Sequence, residues 1–167
     1  MADDKKGEPE QGRAELSREP LYKYHDPDVP KELPDQSWST ERLIEAATKD
    51  NNLLTRSNAV TILATREGKE AVEALVQALK DSEHIVKSTA MVKLASRGQE
   101  VLDRVMEAMS DADQDIRAGA AWVLGELKDP RSVEVLQTAI KDESQLVRVQ
   151  AKASLMAMGI IKKKDLT

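Results

Sequence analysis

The stretch DADQDIRAGAAWVLGELKDP, residues 111–130, decides the fold of this chain. Acidic residues stand before apolar residues at helical spacing, and Asp129-Pro130 follows them, so the stretch predicts a capped amphipathic helix. Related stretches begin at Asp50, Asp81 and Asp142, which puts the four aspartates 31, 30 and 31 residues apart. The chain is therefore built from a repeated unit.

Three further columns keep the same register in all four units. A basic residue follows each aspartate by six positions, an alanine by nine and a leucine by thirteen. These columns are Arg56, Lys87, Arg117 and Arg148; Ala59, Ala90, Ala120 and Ala151; and Leu63, Leu94, Leu124 and Leu155. Because every unit repeats the aspartate and the base, we interpret both as stacking residues at the turns and not as one functional site.

A second amphipathic segment lies between successive units, as in EAVEALVQALKD and EVLDRVMEAMSD, and TERLIEAATKD precedes the first aspartate. Each unit is thus a pair of antiparallel helices, and about eight helices are expected. We predict an all-α fold, a short α-solenoid of about four helix pairs over residues 39–167. Residues 1–38 are predicted to form a disordered to extended tail.

The pattern D-x-D-x-x-[IV]-R-x-x-A-x-x-x-L-G-x-L, followed by D-P, resembles the HEAT-like repeats of the phycobilisome-lyase type over about residues 40–159. The resemblance implies the helix-pair solenoid and says little about function. Proteins with such repeats include scaffolds, chromophore lyases, an iron-dependent hydroxylase and DNA-repair enzymes, so each function must be argued from residues.

Composition excludes several classes of protein. Cysteine is absent, which excludes disulfide scaffolds and thiolate chemistry on this chain. The first residues lack the apolar run of a signal peptide, and no stretch is long enough for a membrane span, so we expect a cytoplasmic protein without membrane contact. A net charge of −5 without a basic face argues against a nucleic-acid partner.

The chemical alternatives find little support. An iron site of the hydroxylase type needs repeated His-Glu pairs, but the chain has only His25, in the tail, and His84, at the start of a helix. Phosphate loops and Ser/His/Asp patterns are missing from the sequence. We therefore predict that the protein is not an enzyme, binds no cofactor or metal, and has no small-molecule ligand.

Acidic residues recur on the second helices, which line the concave side in this architecture. Glu73, Asp103 and Glu134 form one such column. The column is either an ordinary solvated helix face or a docking groove for a basic segment of a partner protein.

Trp122 stands where a helical wheel of 100° per residue points almost directly away from the core. Val92 occupies the same position in its unit, and Ile85 lies on the same exposed side of that helix. We predict an apolar stripe on the first helices that another surface covers, although an error in helix phase would dissolve it.

The tail segment EPLYKYHDPDVPKELPDQSW supplies anchors that could cover a stripe. Its prolines favour an extended path, and Tyr22, Tyr24 and Trp38 are interleaved with them. Either the segment folds back on its own solenoid as a cap, or it docks on a partner together with the stripe.

These features predict a protein–protein interaction scaffold or adaptor, an accessory or assembly subunit of a cytoplasmic complex. Contact is expected through Trp122, Val92, Ile85, Tyr22, Tyr24 and Trp38 and through the acidic column. The alternative, implied by the resemblance, is a bilin-lyase-like or chaperone-like subunit acting on a chromophore protein. The sequence does not identify the partner.

Overall fold

The structure, a computed structural model, describes Pro30 and residues 32–162. This part of the chain contains eight α-helices and no strand. The helices are α1 (Thr40–Lys49), α2 (Leu53–Leu63), α3 (Lys69–Gln77), α4 (His84–Ser96), α5 (Leu102–Ala108), α6 (Gln114–Leu127), α7 (Val133–Ala139) and α8 (Gln145–Ala157). The predictions of an all-α fold and of eight helices are confirmed.

The helices form two layers. α2, α4, α6 and α8 pack side by side in an outer layer, and α1, α3, α5 and α7 each pack on an outer helix from the other side. The inner helices α3, α5 and α7 are shorter than predicted, because 3₁₀ turns at Ala78–Lys80, Gly98–Val101 and Pro130–Ser132 complete them. The arrangement is a short α-solenoid with a core that runs between its layers.

The repeat columns place the core. Ala59, Ala90, Ala120 and Ala151 are fully buried, and so are the leucines four residues after them. An alanine at this position lets two helices approach closely, and the leucine one turn later fills the space between the layers. The predicted core face of the outer helices is therefore confirmed at both columns.

The helix ends follow local chemistry. Asn52 caps α2 by accepting from the amides of Leu54 and Thr55, and Asp113 caps α6 by accepting from Asp115. The end of α6 differs from the prediction, because Lys128 takes a left-handed conformation (φ 52°) before Asp129-Pro130. Helix α6 thus ends one residue earlier than predicted. Its C-cap residue is a lysine in a left-handed conformation that glycine usually adopts.

Candidate functional site

The aspartate and arginine columns lie at the turns and connect neighbouring units. Nη1 of Arg56 donates to the carbonyls of Asp50 and Asn51 in its own unit, at 2.9 and 3.1 Å. Its Nε and Nη2 donate to both carboxylate oxygens of Asp81 in the next unit, at 2.7 and 2.9 Å. One planar guanidinium thus holds its own turn and the next unit together.

The third and fourth units are joined in the same way. Arg117 donates from Nη1 to the carbonyls of Asp111 and Ala112, and from Nε and Nη2 to Asp142, at 2.9 Å for each carboxylate oxygen. The hydrogen bond from Arg117 is the main reason that the pKa of Asp142 lies below its usual range. The predicted stacking role of these columns agrees with this geometry.

Lys87 breaks the pattern between the second and third units. Its Nζ donates to Oδ2 of Asp115 on α6 at 2.8 Å. A lysine offers one charged donor where the arginines offer a fork, so the outer helices α4 and α6 share one charged contact.

The inner layer carries a groove of about 880 Å³ that crosses α1, α3 and α5. Apolar side chains, Ile44, Val72 and Ala74, line part of it. Five acidic residues also line it, against two basic ones. The acidic residues are Glu70, Glu73, Glu100, Asp103 and Glu107, and the basic ones are Lys69 and Arg104. The groove therefore combines an apolar surface with a negative charge.

Two arginines moderate this charge. Nε of Arg104 lies 2.7 Å from Oε2 of Glu73, and this hydrogen bond is the main reason that the pKa of Glu73 is lowered. Arg131 approaches Asp103 at 3.7 Å, although both side chains are mostly exposed. An exposed pair of this kind contributes little to stability, so Asp103 is open to a charged ligand.

The predicted acidic column is only partly brought together. Glu73 and Asp103 line the groove, whereas Glu134, exposed on α7, does not. Sequence reasoning missed Arg104, which stands one position after Asp103 and turns towards α3. Its distance of 31 residues from Glu73, one repeat length, was the signal that could have revealed the pair.

The apolar stripe is present on α4 and changes on α6. Ile85 and Val92 are 51% and 55% exposed. Trp122 is half-buried and packs against the core, so the prediction that it points directly away from the core is wrong. The physical reason is that the indole packs against the buried cluster to which several helices contribute, and a helical wheel of one helix does not contain that cluster.

The approach of α8 to α6 depends on Gly125. A Cβ on this glycine would lie 2.5 Å from Oγ and 2.9 Å from Cα of Ser154. The hydroxyl of Ser154 donates to the carbonyl of Ala121 at 2.7 Å, which satisfies a buried polar group at the contact. Two small residues therefore bring the last two outer helices together.

The end of the tail segment lies on the solenoid. Trp38 packs against the core, and the guanidinium carbon of Arg42 lies 3.4 Å from the centre of its ring. Nη2 of Arg66 donates to the carbonyls of Gln36 and Trp38, at 2.7 and 3.1 Å. Tyr22 and Tyr24 lie outside the described residues.

One repeat later, Arg97 makes the same kind of contact. Its Nη1 donates to the carbonyl of Arg66 at 2.7 Å, across the junction between two units. Residues 36–38 therefore accept hydrogen bonds from Arg66 in the way that the preceding unit accepts one from Arg97. They occupy the place of a preceding repeat. These contacts lie at the N-terminal end of the solenoid and not on the stripe, so both predicted arrangements of the tail stay predictions.

The described residues lack metal-binding and membrane-spanning features. Over Pro30 and residues 32–162, no group of three or more His, Cys, Asp or Glu side chains is arranged to hold a metal ion. His84 is exposed at the first position of α4, and His25 lies outside these residues. None of the eight helices described is long and apolar enough to span a membrane.

Comparison with known proteins identifies the repeat. The family profile of HEAT repeats matches residues 40–109 and 102–166. The chain belongs to the HEAT-repeat family. The more specific resemblance to the phycobilisome-lyase type stays a prediction, and so does the chromophore-related alternative for its function.

Among solved structures, the chain is similar to human deoxyhypusine hydroxylase in complex with glycerol. The match has 21% sequence identity and a TM-score of 0.56, and it covers 78% of this chain and 47% of that one. This HEAT-repeat chain thus spans about half the length of the hydroxylase, and the likeness shows the fold alone. No curated protein matches the chain.

Proposed function

We propose that this HEAT-repeat protein is a protein-binding module, an accessory or assembly subunit of a cytoplasmic complex, and not an enzyme. The groove across α1, α3 and α5 is the observation that carries the proposal. It takes a segment of the partner that presents basic side chains beside apolar ones.

The shape and charge of the groove support such a partner. Val72 and Ala74 are buried in its floor, and Ile44 extends the apolar surface along α1. An amphipathic helix laid across short helices buries its apolar face on such a floor. Its lysines or arginines then reach the acidic side chains of the rim.

Asp103 and Glu107 are the best candidates for charge recognition. Both are exposed on α5, one helical turn apart, and both line the groove. Glu73 is already engaged by Arg104 and Gln77, at 2.7 and 2.9 Å, so it holds the rim in place. Exposed acidic side chains of this kind guide a basic partner and set its orientation more than they add affinity.

Binding of model peptides tests the proposal. Full-length protein is titrated into a fluorescein-labelled amphipathic peptide of leucine and lysine, and into its leucine–glutamate counterpart, with anisotropy as the readout. We expect the lysine peptide to bind more tightly, and binding to weaken about tenfold in Asp103→Lys and in Glu107→Lys.

Glu126→Lys is the matched control. Glu126 is exposed on α6 in the outer layer, away from the groove, and its replacement by lysine changes the net charge by the same amount. If it weakens binding as much as Asp103→Lys, the effect comes from overall charge, and the groove is not the site. Equal binding of the two peptides would contradict the proposal as well.

The outer stripe offers a second contact on the opposite layer. Ile85 and Val92 remain candidates because both are more than half exposed. Val92→Glu is expected to leave the helicity unchanged and to reduce capture of a partner that uses this stripe. Trp122→Glu cannot serve as this test, since the half-buried indole also supports the core.

A further inference from the structure

Arg104 is a hydrogen-bond donor in a groove that is lined mainly by acidic residues. Its Nε donates to Oε2 of Glu73 at 2.7 Å, and Nε2 of Gln77 donates to Oε1 of the same carboxylate at 2.9 Å. Because both oxygens of this carboxylate are engaged, the planar guanidinium group of Arg104 is held in one orientation.

The Nη1 and Nη2 atoms of Arg104 are open donors. Among residues 32–162 neither atom donates to another group, and the side chain is 29% exposed where it lines the groove. A guanidinium group carries N–H donors on all three of its nitrogens, and the bond to Glu73 uses only the one at Nε. A bound segment therefore meets donors that are in place before it arrives.

Other arginines of this chain show which groups such donors bind. At four of them, Nη1 donates to two main-chain carbonyls at or just after the end of a helix. These are Arg56, Arg97, Arg117 and Arg148. The last carbonyls of a helix have no partner within the helix and carry the negative end of its dipole, so a guanidinium group suits them. The open donors of Arg104 can bind the end of a partner helix in the same way.

The acidic surroundings of Arg104 favour a neutral acceptor over a charged one. Asp103 and Glu107 flank it on α5, and both are exposed. They would repel a carboxylate of the partner, whereas a main-chain carbonyl carries no net charge. The N-terminal end of a helix is disfavoured as well, because its unpaired N–H groups and positive dipole end would face the guanidinium group.

We propose that Arg104 orients the partner segment, by donating to the free carbonyls at the C-terminal end of a partner helix. Lysine and arginine are favoured in the last turn of a helix, so the same end brings basic side chains to Asp103 and Glu107. Arg104 is thus a residue that determines the direction in which the partner binds. This inference rests on the proposed function, because it assigns a direction to the basic and apolar segment proposed for the groove.

Two substitutions at Arg104 separate hydrogen bonding from charge. Arg104→Lys keeps the charge and a donor for Glu73 but removes the Nη donors, and Arg104→Gln also makes the groove more negative. Fluorescence anisotropy of an amphipathic peptide with lysines in its last two turns measures binding to full-length protein. We expect both variants to bind about tenfold more weakly than the wild type. Charge alone would leave binding to Arg104→Lys unchanged and tighten binding to Arg104→Gln, and that result would overturn the inference while the groove still binds.

A second peptide of the same composition, with its lysines in the first two turns, tests the direction of binding. Both peptides are acetylated and amidated and carry fluorescein at the same central position, so neither end is charged. We expect the wild type to bind the peptide with C-terminal lysines about tenfold more tightly, and this preference to shrink in Arg104→Lys. Equal affinity of the wild type for the two peptides would overturn the inference. A preference of the same size in both proteins would come from the peptides alone and would overturn it as well.

Arg148→Lys is the matched control for the substitution itself. Arg148 also donates to two carbonyls, but it lies on α8 in the outer layer and is not among the residues that line the groove. It should leave peptide binding unchanged, and circular dichroism checks that all variants keep their helicity. A loss as large as that of Arg104→Lys would contradict the inference. If the wild type binds neither peptide, the proposed function itself is wrong, and this inference falls with it.

Discussion

The first and last units of the solenoid are attached to its centre by different means. At the N-terminal end, Trp38 packs on the core and residues 36–38 accept hydrogen bonds from Arg66, so a non-helical segment closes the stack. At the C-terminal end, α8 is held by close helix packing at Gly125 and by the fork of Arg117 on Asp142. One repeat sequence thus accommodates two kinds of attachment at the two ends of the described solenoid, provided that each end unit buries its inner side.

The largest effect is expected from Gly125→Ala, which breaks the close packing at the C-terminal end. The new Cβ would meet the backbone of Ser154 and force α8 away, at a cost of about 3 kcal/mol in the free energy of unfolding. Urea denaturation followed by circular dichroism measures the change.

Gly119→Ala is the matched control on the same helix. Its Cβ would meet side-chain atoms of Leu79, the nearest at 2.9 Å, whereas the contacts at Gly125 include the backbone of Ser154. The gain in helix propensity, about 1 kcal/mol, should offset most of the cost. If the two variants lose equal stability, backbone contact between α6 and α8 is not what matters at Gly125.

Trp38→Ala removes the main anchor at the N-terminal end. We expect a loss of about 2 kcal/mol, less than for a fully buried tryptophan, because the ring is half-buried and its contact with Arg42 is near the surface. Leu33→Ala, in the same segment but 41% exposed, should change little. Thermal unfolding of both variants gives the comparison, and equal melting temperatures would show that Trp38 does not close this end.

Asp142→Asn weakens the paired hydrogen bonds from Arg117 at the C-terminal end and keeps the shape of the side chain at position 142. The pKa of Asp142 is lowered in the folded protein, so its charge stabilises the fold above its unfolded pKa of about 3.9, and that stability is lost as the pH falls through the folded pKa. We expect a cost of about 1 kcal/mol at pH ~7 and a shallower loss of stability below pH ~4.

The control for this pH dependence is Asp50→Asn. The Asp50 carboxylate accepts from the amide of Asn52 at 2.7 Å and forms no salt bridge within residues 32–162. The Asp50→Asn substitution should leave the loss of stability at acid pH closer to that of the wild type. A curve as shallow as that of Asp142→Asn would contradict the role given to Arg117.

Lys87→Arg should have the smallest effect on stability. The arginine would supply, between the second and third units, the pair of hydrogen bonds that Arg56 and Arg117 make at the other two junctions. An arginine there could bind Asp111 as Arg117 binds Asp142, and we expect a gain of about 0.5 kcal/mol. Chemical denaturation with and without high salt checks it. A loss of stability would show that the Lys87 contact with Asp115 is the better one.

The features that recur in every repeat could be predicted from the sequence. Columns that recur in every unit, such as Ala120 and Leu124, could be placed in the core because helical periodicity links them to one face. The turn residues were equally predictable. Their partners one unit away followed less directly, since only the structure shows that Arg56 passes its own aspartate and binds the next.

Departures from the repeat were the features that sequence reasoning handled poorly. Trp122 is half-buried because its indole packs against the core cluster, to which several helices contribute. The pairing of Arg104 with Glu73 likewise depends on how α3 and α5 sit side by side. A helical wheel contains no such neighbour, so it assigns each residue to a face without knowing what covers that face.

The substitution of a point charge for a fork at Lys87 also has a mechanical consequence. Bending of a stacked array concentrates where adjoining units resist rotation least, and a single ammonium contact permits more rotation than two parallel hydrogen bonds. At this junction the Lys87 contact joins the outer helices α4 and α6, whereas the hydrogen bond of Arg104 to Glu73 holds α3 and α5 together on the groove side. Bending there is therefore expected to separate the outer helices about this inner pair, while the part of the groove between α3 and α5 keeps its width.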